Sequence, residues 1–251
     1  MIKALIGKVF AKAGYRIVKK ETKEDMAFAH QKKLLGGNSK KVIFDVGAYV
    51  GETALKYNDL FDGNCAIHAF EPFFETFDRL QENVKPHPNI TSFKLALSNL
   101  NGTTTFYSNK FSATNSLLPS SPKGSETWGS DILETKEKIE VPVQRLDDFV
   151  QEHKVQKIDI LKMDTQGSEY MVLEGAKKSL KQGLIKLIYC EINVMPSYEG
   201  QKHYDEMLKI IRAYGFVTFN LIPSFNASGQ LRYMDAIFMH ENQVTQNNQA
   251  Q

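Results

Sequence analysis

The segment KVIFDVGAYVGETALKY, residues 41–57, indicates the fold of this chain. An apolar run leads to Asp45, a loop with Gly47 and Gly51 follows, and ETALKY has the composition of a helix start. A strand, a glycine turn and a helix in this order are typical of nucleotide-binding sites. The spacing is Asp-x-Gly-x-x-x-Gly rather than Gly-x-Gly-x-x-Gly, and the loop has no Lys or Arg. Such a loop is poorly suited to a pyrophosphate.

The same alternation of strands and helices continues after this segment. Apolar runs predict further strands at CAIHAFEP (65–72), ITSFKLALS (90–98), KIDILKMD (157–164) and LIKLIYCEI (184–192). Helical patterns separate most of these runs, and FVTFNLI (216–222) and YMDAIFMH (233–240) predict a final hairpin. This order predicts an α/β fold with a mostly parallel sheet covered by helices.

Composition places the chain among ordinary globular proteins. Apolar residues make up 42% of the 251 residues, charged residues 24%, and the net charge is +2, which predicts no general affinity for polyanions. Cys65 and Cys190 lie in apolar runs, so we expect buried free thiols in a reducing compartment. No run approaches the ~18 apolar residues of a membrane span, and no signal peptide is evident. We therefore expect a cytoplasmic protein.

The ends of the chain and one internal segment differ from the rest. Residues 1–38 are predicted to form an N-terminal extension, because residues 1–20 have the pattern of a basic amphipathic helix. That helix would pack on the domain or contact the inner face of a membrane peripherally. Residues 39–241 form the predicted domain, within which the Ser-, Thr-, Pro- and Gly-rich residues 108–138 are expected to be an acceptor loop or lid. The polar tail 242–251 is predicted to be disordered.

Carboxylates stand at four of the predicted strand ends, where ligands of parallel sheets bind. They are Asp45, Glu71, Asp164 and Glu191. Glu71 lies 20 positions after Gly51, a spacing at which an acid accepts hydrogen bonds from ribose hydroxyls in dinucleotide and other adenosine sites. Asp45 and Asp164 would repel phosphates and favour a ligand that bears an ammonium and a sulfonium group. S-adenosylmethionine is such a ligand.

Six blocks of the sequence resemble the FkbM-type methyltransferases in order and spacing, over about Lys41 to Ile192. They are FDVGAYVGETA, AFEPFFETFDRLQENV, LALSNLNGTTTFY, QRLDDF, IDILKMDTQGSEYMVLEGA and IYCEI. The resemblance implies a class I methyltransferase (Rossmann-like) sheet with an antiparallel C-terminal strand. It also implies methyl transfer from S-adenosylmethionine to a hydroxyl of a sugar, glycan, glycolipid or secondary metabolite.

The resemblance also implies roles for individual residues. The cofactor would be bound by Asp45, Gly47, Ala48, Tyr49, Gly51, Glu71, Pro72, Ala96, Leu97 and Asp164. Among these, Glu71 would hold the ribose, Ala96 and Leu97 would lie at the adenine edge, and Asp164 would border the reacting methyl group. The chain departs from the family pattern at two positions. Tyr49 stands where Asn is frequent, and Gln166 stands where Glu is frequent.

An alcohol acceptor must lose a proton, which requires a general base or a metal that acidifies the hydroxyl. Asp164 and Glu191 are candidates for base and orienting acid, or could hold a divalent cation together with Asn193. His203 is a further candidate base. The sequence does not choose between these mechanisms, and it does not predict an oligomeric state.

Three other functions fit parts of the pattern. A nicotinamide-dependent oxidoreductase shares the fold, but the loop spacing and the acids argue against it. Nucleic-acid methylation is disfavoured because no Asn-Pro-Pro-aromatic run follows the fourth strand and no basic stripe crosses the domain. A catalytically inactive cofactor-binding or partner protein of the same fold is the remaining alternative to an enzyme acting on a small-molecule or glycan acceptor.

Overall fold

The computed structural model describes residues 22–128 and 131–244, and its centre is a seven-stranded sheet. The strands are β1 (Lys41–Val46), β2 (Cys65–Phe70), β3 (Ile90–Phe93), β4 (Ala96–Ser98), β5 (Gly102–Asn109), β6 (Thr135–Arg145), β7 (Ile158–Met163), β8 (Ile185–Asn193), β9 (Phe216–Phe225) and β10 (Leu231–His240). The order in the large sheet is β3-β2-β1-β7-β8-β10-β9. The first five strands in this order, β3-β2-β1-β7-β8, pair in parallel, whereas β10 is antiparallel to both of its neighbours. The predicted α/β class and the antiparallel C-terminal strand are confirmed.

Helices cover both faces of this sheet. They are α1 (Lys23–Leu35), α2 (Glu52–Leu60), α3 (Phe74–Val84), α4 (Pro122–Trp128), α5 (Leu146–Glu152), α6 (Glu169–Gly175), α7 (Lys177–Lys181) and α8 (Tyr204–Ala213). Phe28, Tyr57 and Leu80 pack in the core on one face, and Leu173 and Ile211 pack in the core on the other. Burial of these side chains supplies the apolar contacts that hold the layers together. No helix of the described residues is long and apolar enough to cross a bilayer.

The predicted third strand is two strands in two sheets. The chain bends between Phe93 and Ala96, where the Leu95 N–H bonds to the Phe93 carbonyl at 2.9 Å. The second half, β4, then pairs in parallel with β6, and β5 completes a three-stranded sheet of order β4-β6-β5. All three residues of β4 are buried. The sequence does not reveal this break, because both strands are partly or fully buried and the apolar run is therefore nearly continuous across it.

The predicted loop 108–138 contains regular structure. Strand β5 extends to Asn109, a 3₁₀ turn spans Ser112–Thr114, α4 follows, and β6 begins at Thr135. Polar side chains hold the irregular parts: Asn109 Nδ2 donates to the Thr114 carbonyl at 2.7 Å, and the Asn109 N–H donates to Asn115 Oδ1 at 2.7 Å. The polar side chains that predicted a loop therefore form hydrogen bonds with backbone groups within this segment.

The predictions for the two ends lie largely outside the described residues. Those for residues 1–20 and for residues 245–251 fall wholly there. Within the predicted extension, α1 begins with a capping box between Thr22 and Asp25 and buries Phe28 in the core, so this helix is part of the domain. Val244, within the predicted tail, packs against the same core. Cys65 and Cys190 are free and buried, as predicted.

Candidate active site

The loop between β1 and α2 requires glycine at two positions. Gly47 has φ +76°, and a Cβ there would lie 1.9 Å from the backbone oxygen of Asp164. Gly51 has φ +92°, and its Cβ would lie 2.8 Å from Leu80 Cδ1 on α3. The first glycine thus lets the loop approach the end of β7, and the second lets it pack on a helix. The close contacts with Asp164 and Leu80 leave no room for a side chain at these two positions, and they also fix the position of the loop.

A first cavity opens beside this loop, at the carboxyl ends of β1, β2 and β7. Eight of the ten predicted cofactor residues line it: Gly47, Ala48, Tyr49, Glu71, Pro72, Ala96, Leu97 and Asp164. Asp45 and Gly51 do not line it. Residues Thr53, Phe106, Ser112 and Gln166 also line the cavity, although the sequence analysis assigned them no role in binding.

Glu71 links the glycine loop to the end of β2. Its Oε2 accepts from the Tyr49 N–H at 3.0 Å, and its Oε1 accepts from the Phe73 N–H at 3.0 Å and from Thr76 Oγ1 at 2.8 Å. Burial raises the pKa of Glu71 to about 7, although these hydrogen bonds oppose the shift. Oxygen Oε2 accepts one described hydrogen bond and faces the loop, so it retains a lone pair for a ligand hydroxyl.

Asp45 does not line the first cavity, and its predicted role in cofactor binding stays a prediction. Its side chain is fully buried, and its Oδ1 lies 2.8 Å from Lys162 Nζ, which also donates to the Gly47 carbonyl at 2.9 Å. Burial lowers the pKa of Lys162, but the charges of Asp45 and Asp164 outweigh this effect and raise it. The charge of Asp45 is therefore balanced inside the protein, and of the two predicted aspartates it is Asp164 that lines the cavity.

Asp164 is oriented by a short chain of hydrogen bonds. Gln166 Nε2 donates to Asp164 Oδ1 at 2.8 Å, and Gln166 Oε1 accepts from the Tyr198 hydroxyl at 3.1 Å. The Gln166 carbonyl accepts from Ser116 Oγ at 2.7 Å. Gln166 thus donates a hydrogen bond to the Asp164 carboxylate. An ionised glutamate at position 166 could not do so, because it has no proton to donate. The second Asp164 oxygen has no hydrogen-bond donor among the described residues.

A second cavity adjoins the first and contains Glu191. Both cavities are lined by Thr53, Lys162 and Asp164, and the second is also lined by Tyr189, Tyr233 and Asp235. Burial, followed by the charges of Asp164 and Asp235, raises the pKa of Glu191 well above its usual range. Asn193 Nδ2 donates to Glu191 Oε1 at 3.3 Å. Asp164 and Glu191 are therefore brought together, as their positions at neighbouring strand ends predicted.

His203 is not brought to these carboxylates. It is exposed at the start of α8, where its N–H donates to Glu206 Oε2 at 3.1 Å, and it lines neither cavity. Its position is that of a helix cap. As for metals, the described residues contain no group of three or more His, Cys, Asp and Glu side chains arranged to hold one.

The 108–138 segment closes over a third cavity that meets the other two. Trp128 and Tyr198 line this third cavity together with Gln166 and Glu191. The Trp128 indole N–H donates to Ser197 Oγ at 2.8 Å, and the Arg232 guanidinium lies 3.6 Å from the ring centroid. These contacts tie α4 to the loop after β8 and to β10. The segment is thus positioned as a cover for the strand ends.

Fluorescence should report on this cover, because Trp128 is the single tryptophan of the chain. We expect its emission to change, and protease cleavage within residues 108–138 to slow, when cofactor and acceptor are added together, since a closing segment excludes water from the indole. Stopped-flow fluorescence and limited proteolysis would measure both effects. If neither Trp128 emission nor protease cleavage changes when cofactor and acceptor are added, the segment is a fixed wall of the site rather than a lid.

Comparison with known proteins identifies the class of this site. The model of the methyltransferase FkbM domain matches residues 45–218, well over half of the chain. The chain belongs to the FkbM methyltransferase family. As a member of this family it is a methyltransferase, and the match begins at Asp45 and includes the glycine loop, Glu71, Asp164 and Glu191.

Two curated relatives of this FkbM methyltransferase bear names that specify a reaction. The 2-O-methyltransferase NoeI of Sinorhizobium fredii is 28% identical over 191 residues, which are 70% of this chain and 73% of NoeI. The hexuronic acid methyltransferase AglP of Haloferax volcanii is 26% identical over 153 residues, which are 61% of this chain and 56% of AglP. The chain thus spans little more than half of AglP.

Solved structures agree on the fold. The methyltransferase FkbM of Methylobacillus flagellatus has a TM-score of 0.51 at 14% identity, and the match covers 80% of this chain and 44% of that one. An rRNA methylase of Streptococcus thermophilus has a TM-score of 0.50 at 11% identity, over 89% of this chain and 99% of that one. At such identities the likeness concerns the fold alone, which is that of the class I methyltransferases.

Proposed function

We propose that this protein transfers a methyl group from S-adenosylmethionine to a hydroxyl group of a sugar. The observation that carries the proposal is the first cavity, in which the glycine loop, Glu71 and Asp164 meet beside a second, acid-lined cavity. When bound, S-adenosylmethionine supplies a methyl group activated by a positively charged sulfur. The residues of the chain then have to bind the cofactor and the acceptor, orient them, and accept one proton from the acceptor hydroxyl.

The first cavity fits this cofactor better than a dinucleotide. Lys162 is the one cation among its described lining residues, and that cation is held by buried Asp45. A pyrophosphate would find no free basic group there, whereas the positive end of S-adenosylmethionine would find the Asp164 carboxylate. Glu71 is buried beside the loop and would accept from ribose hydroxyls, and Ala96 and Leu97 offer an apolar surface for a base.

Asp164 is the best-placed group to receive the proton of the acceptor hydroxyl. It borders both cavities, and Gln166 fixes one of its oxygens while leaving the other without a described donor. A base must lie within hydrogen-bond reach of the proton that it removes, which the junction of the cavities allows. Glu191, with its raised pKa, would act as a neighbouring hydrogen-bond donor that orients the acceptor.

A metal-assisted route uses the same residues. Asp164, Glu191 and Asn193 are oxygen ligands of the kind that Mg²⁺ and Mn²⁺ prefer, and a bound cation would acidify the hydroxyl in place of a base. Assays with and without EDTA separate the routes. Loss of activity that Mg²⁺ or Mn²⁺ restores favours the metal, and indifference to the chelator favours the carboxylate base.

Sugar acceptors are supported by the names of the two relatives and by the chemistry of the second cavity. NoeI is named for 2-O-methylation and AglP for a hexuronic acid. Tyr189 and Tyr233 provide aromatic surface, and the acids beside them accept hydrogen bonds from hydroxyl groups. A non-catalytic cofactor-binding protein would bind S-adenosylmethionine equally but transfer no label from it to a sugar.

Replacing Glu71 with glutamine tests the cofactor assignment. We expect the affinity for S-adenosylmethionine to fall by about 1–3 kcal/mol, the effect of losing a hydrogen bond to a charged group. Glutamine keeps the side-chain size and an acceptor oxygen for Thr76, so the fold should persist. Titration calorimetry with S-adenosylmethionine and with NAD measures the effect, and Glu75→Gln on the exposed side of α3 is the matched control. Unchanged affinity in a folded Glu71 variant would remove this residue from the site.

A further inference from the structure

Several carboxyl groups line the second cavity, and their consequence for the sugar acceptor rests on the function proposed above. Glu191 and Asp235 are register partners on the antiparallel pair β8 and β10, so their side chains emerge on the same face of the sheet. Asp164 directly follows the adjacent strand β7 and borders the same cavity. Carboxyl groups from three consecutive strands of the sheet thus line one space.

These carboxyl groups act on each other. Burial, followed by the charges of Asp164 and Glu24, raises the pKa of Asp235 to about 6, and Asp164 and Asp235 contribute to the raised pKa of Glu191. Tyr189 donates a hydrogen bond that opposes the shift of Asp235. The three carboxyl groups thus share one partly buried space, in which a further negative charge would be repelled.

The cations around the cavity are already engaged. Lys162 pairs with buried Asp45 at 2.8 Å, and Lys23, at the exposed rim, donates to the Pro223 carbonyl at 2.5 Å. Glu24 lines the same cavity and pairs with Lys56 at 2.9 Å. Among the described residues that line the second cavity, Lys23 and Lys162 are the cations, and they are outnumbered by the carboxyl groups. The charge of Lys23 lowers the pKa of Asp235, but burial and the neighbouring acids outweigh that effect.

We propose that the acceptor is an uncharged sugar, and that Asp235 is the specificity-determining residue that excludes uronates. A uronate carboxylate in this cavity would face like charges in a partly buried setting, where repulsion is several-fold stronger than in water. Neutral hydroxyls would instead donate to those carboxylates, and the rings of Tyr189 and Tyr233 would cover the apolar face of the sugar. The protein should differ in this respect from AglP, which is named for a hexuronic acid.

A mixed-acceptor experiment tests the proposal. The full chain is incubated at pH 7.5 with S-adenosylmethionine carrying a tritiated methyl group and with equal amounts of the methyl glycosides of glucose, galactose, glucuronic acid and galacturonic acid. Anion exchange then separates the neutral from the acidic products. We expect at least ten times more label in the neutral fraction. Equal label, or more in the acidic fraction, overturns the exclusion of uronates while leaving sugar methylation intact.

A second outcome of the same experiment tests the proposed sugar methylation itself. No label in either fraction, with S-adenosylmethionine binding intact by calorimetry, would contradict sugar methylation and this inference together. Where label appears, Asp235→Asn should raise the acidic share about tenfold, and Asp235→Glu should keep it low because the charge remains. The control Asp78→Asn removes one exposed acid on α3 and should leave the ratio unchanged. An unchanged ratio in Asp235→Asn would exclude Asp235 as the selective residue.

Discussion

Asp164→Asn should lower turnover of the acceptor about 100-fold or more, while the affinity for S-adenosylmethionine changes by no more than a few-fold. Asparagine keeps the size of the side chain and an oxygen for Gln166 Nε2, but it removes the charge and nearly all basicity. A base that acts in the transition state lowers kcat and kcat/KM alike when it is removed. Single-turnover transfer of labelled methyl measures this effect separately from product release.

Glu191 provides a second test of the same site. If Asp164 and Glu191 act as a unit, Glu191→Gln should also reduce turnover, and the double variant should be little worse than Asp164→Asn alone. His203→Ala should retain turnover, since His203 is exposed at the start of α8 and lines neither cavity. Near-normal turnover in Asp164→Asn, together with loss in His203→Ala, would place the base on His203 instead.

Lys162→Met should destabilise the protein by about 3–5 kcal/mol, because it leaves Asp45 as an unpaired carboxylate in a fully buried position. Urea unfolding followed by circular dichroism measures the change. Burial raises the pKa of Asp45 above its unfolded value, so the cost applies at neutral pH and disappears as the pH falls below about 4, where the carboxyl is protonated in both states.

The double variant Asp45→Asn/Lys162→Met is the matched control for this prediction. It removes both charges at once, so most of the lost stability should return. If Lys162→Met alone unfolds at the wild-type urea concentration, the pair is not ionic in the folded state. Because Lys162 Nζ also donates to the Gly47 carbonyl, the double variant should still bind S-adenosylmethionine more weakly than wild type.

The parts of the site that were predictable are the local ones. A glycine loop and an acid at a fixed distance along the chain predict Gly47 and Glu71 without knowledge of the sheet, and the family resemblance adds Ala48, Tyr49 and Pro72. The apolar runs likewise predict the parallel strands and the hairpin. Each of these signals lies within a short stretch of sequence, where side-chain periodicity and turn composition are sufficient.

The parts that were missed depend on strand register. Lys162 is the register partner of Asp45 on β1 and β7, and Asp235 is the register partner of Glu191 on β8 and β10. A single sequence does not specify register, and a shift of one residue would reverse the face of every side chain. One signal was present: each missed residue is a charged side chain inside a strand that is otherwise largely buried, IDILKM or YMDAIFMH. Such charges are rarely buried unless they are paired or functional.

The walls of the two cavities come from distant parts of the chain, which sets an order of assembly during folding. The residues that line the first cavity all lie between Val46 and Ser168, so it is complete once the segments up to the start of α6 have joined. The second also needs α1 against β10, and the Lys23 to Pro223 contact spans 200 positions. Closing so long a loop is entropically slow. A refolding chain should therefore regain S-adenosylmethionine binding before methyl transfer, and it should pass through a state that holds the methyl donor without a place for the sugar.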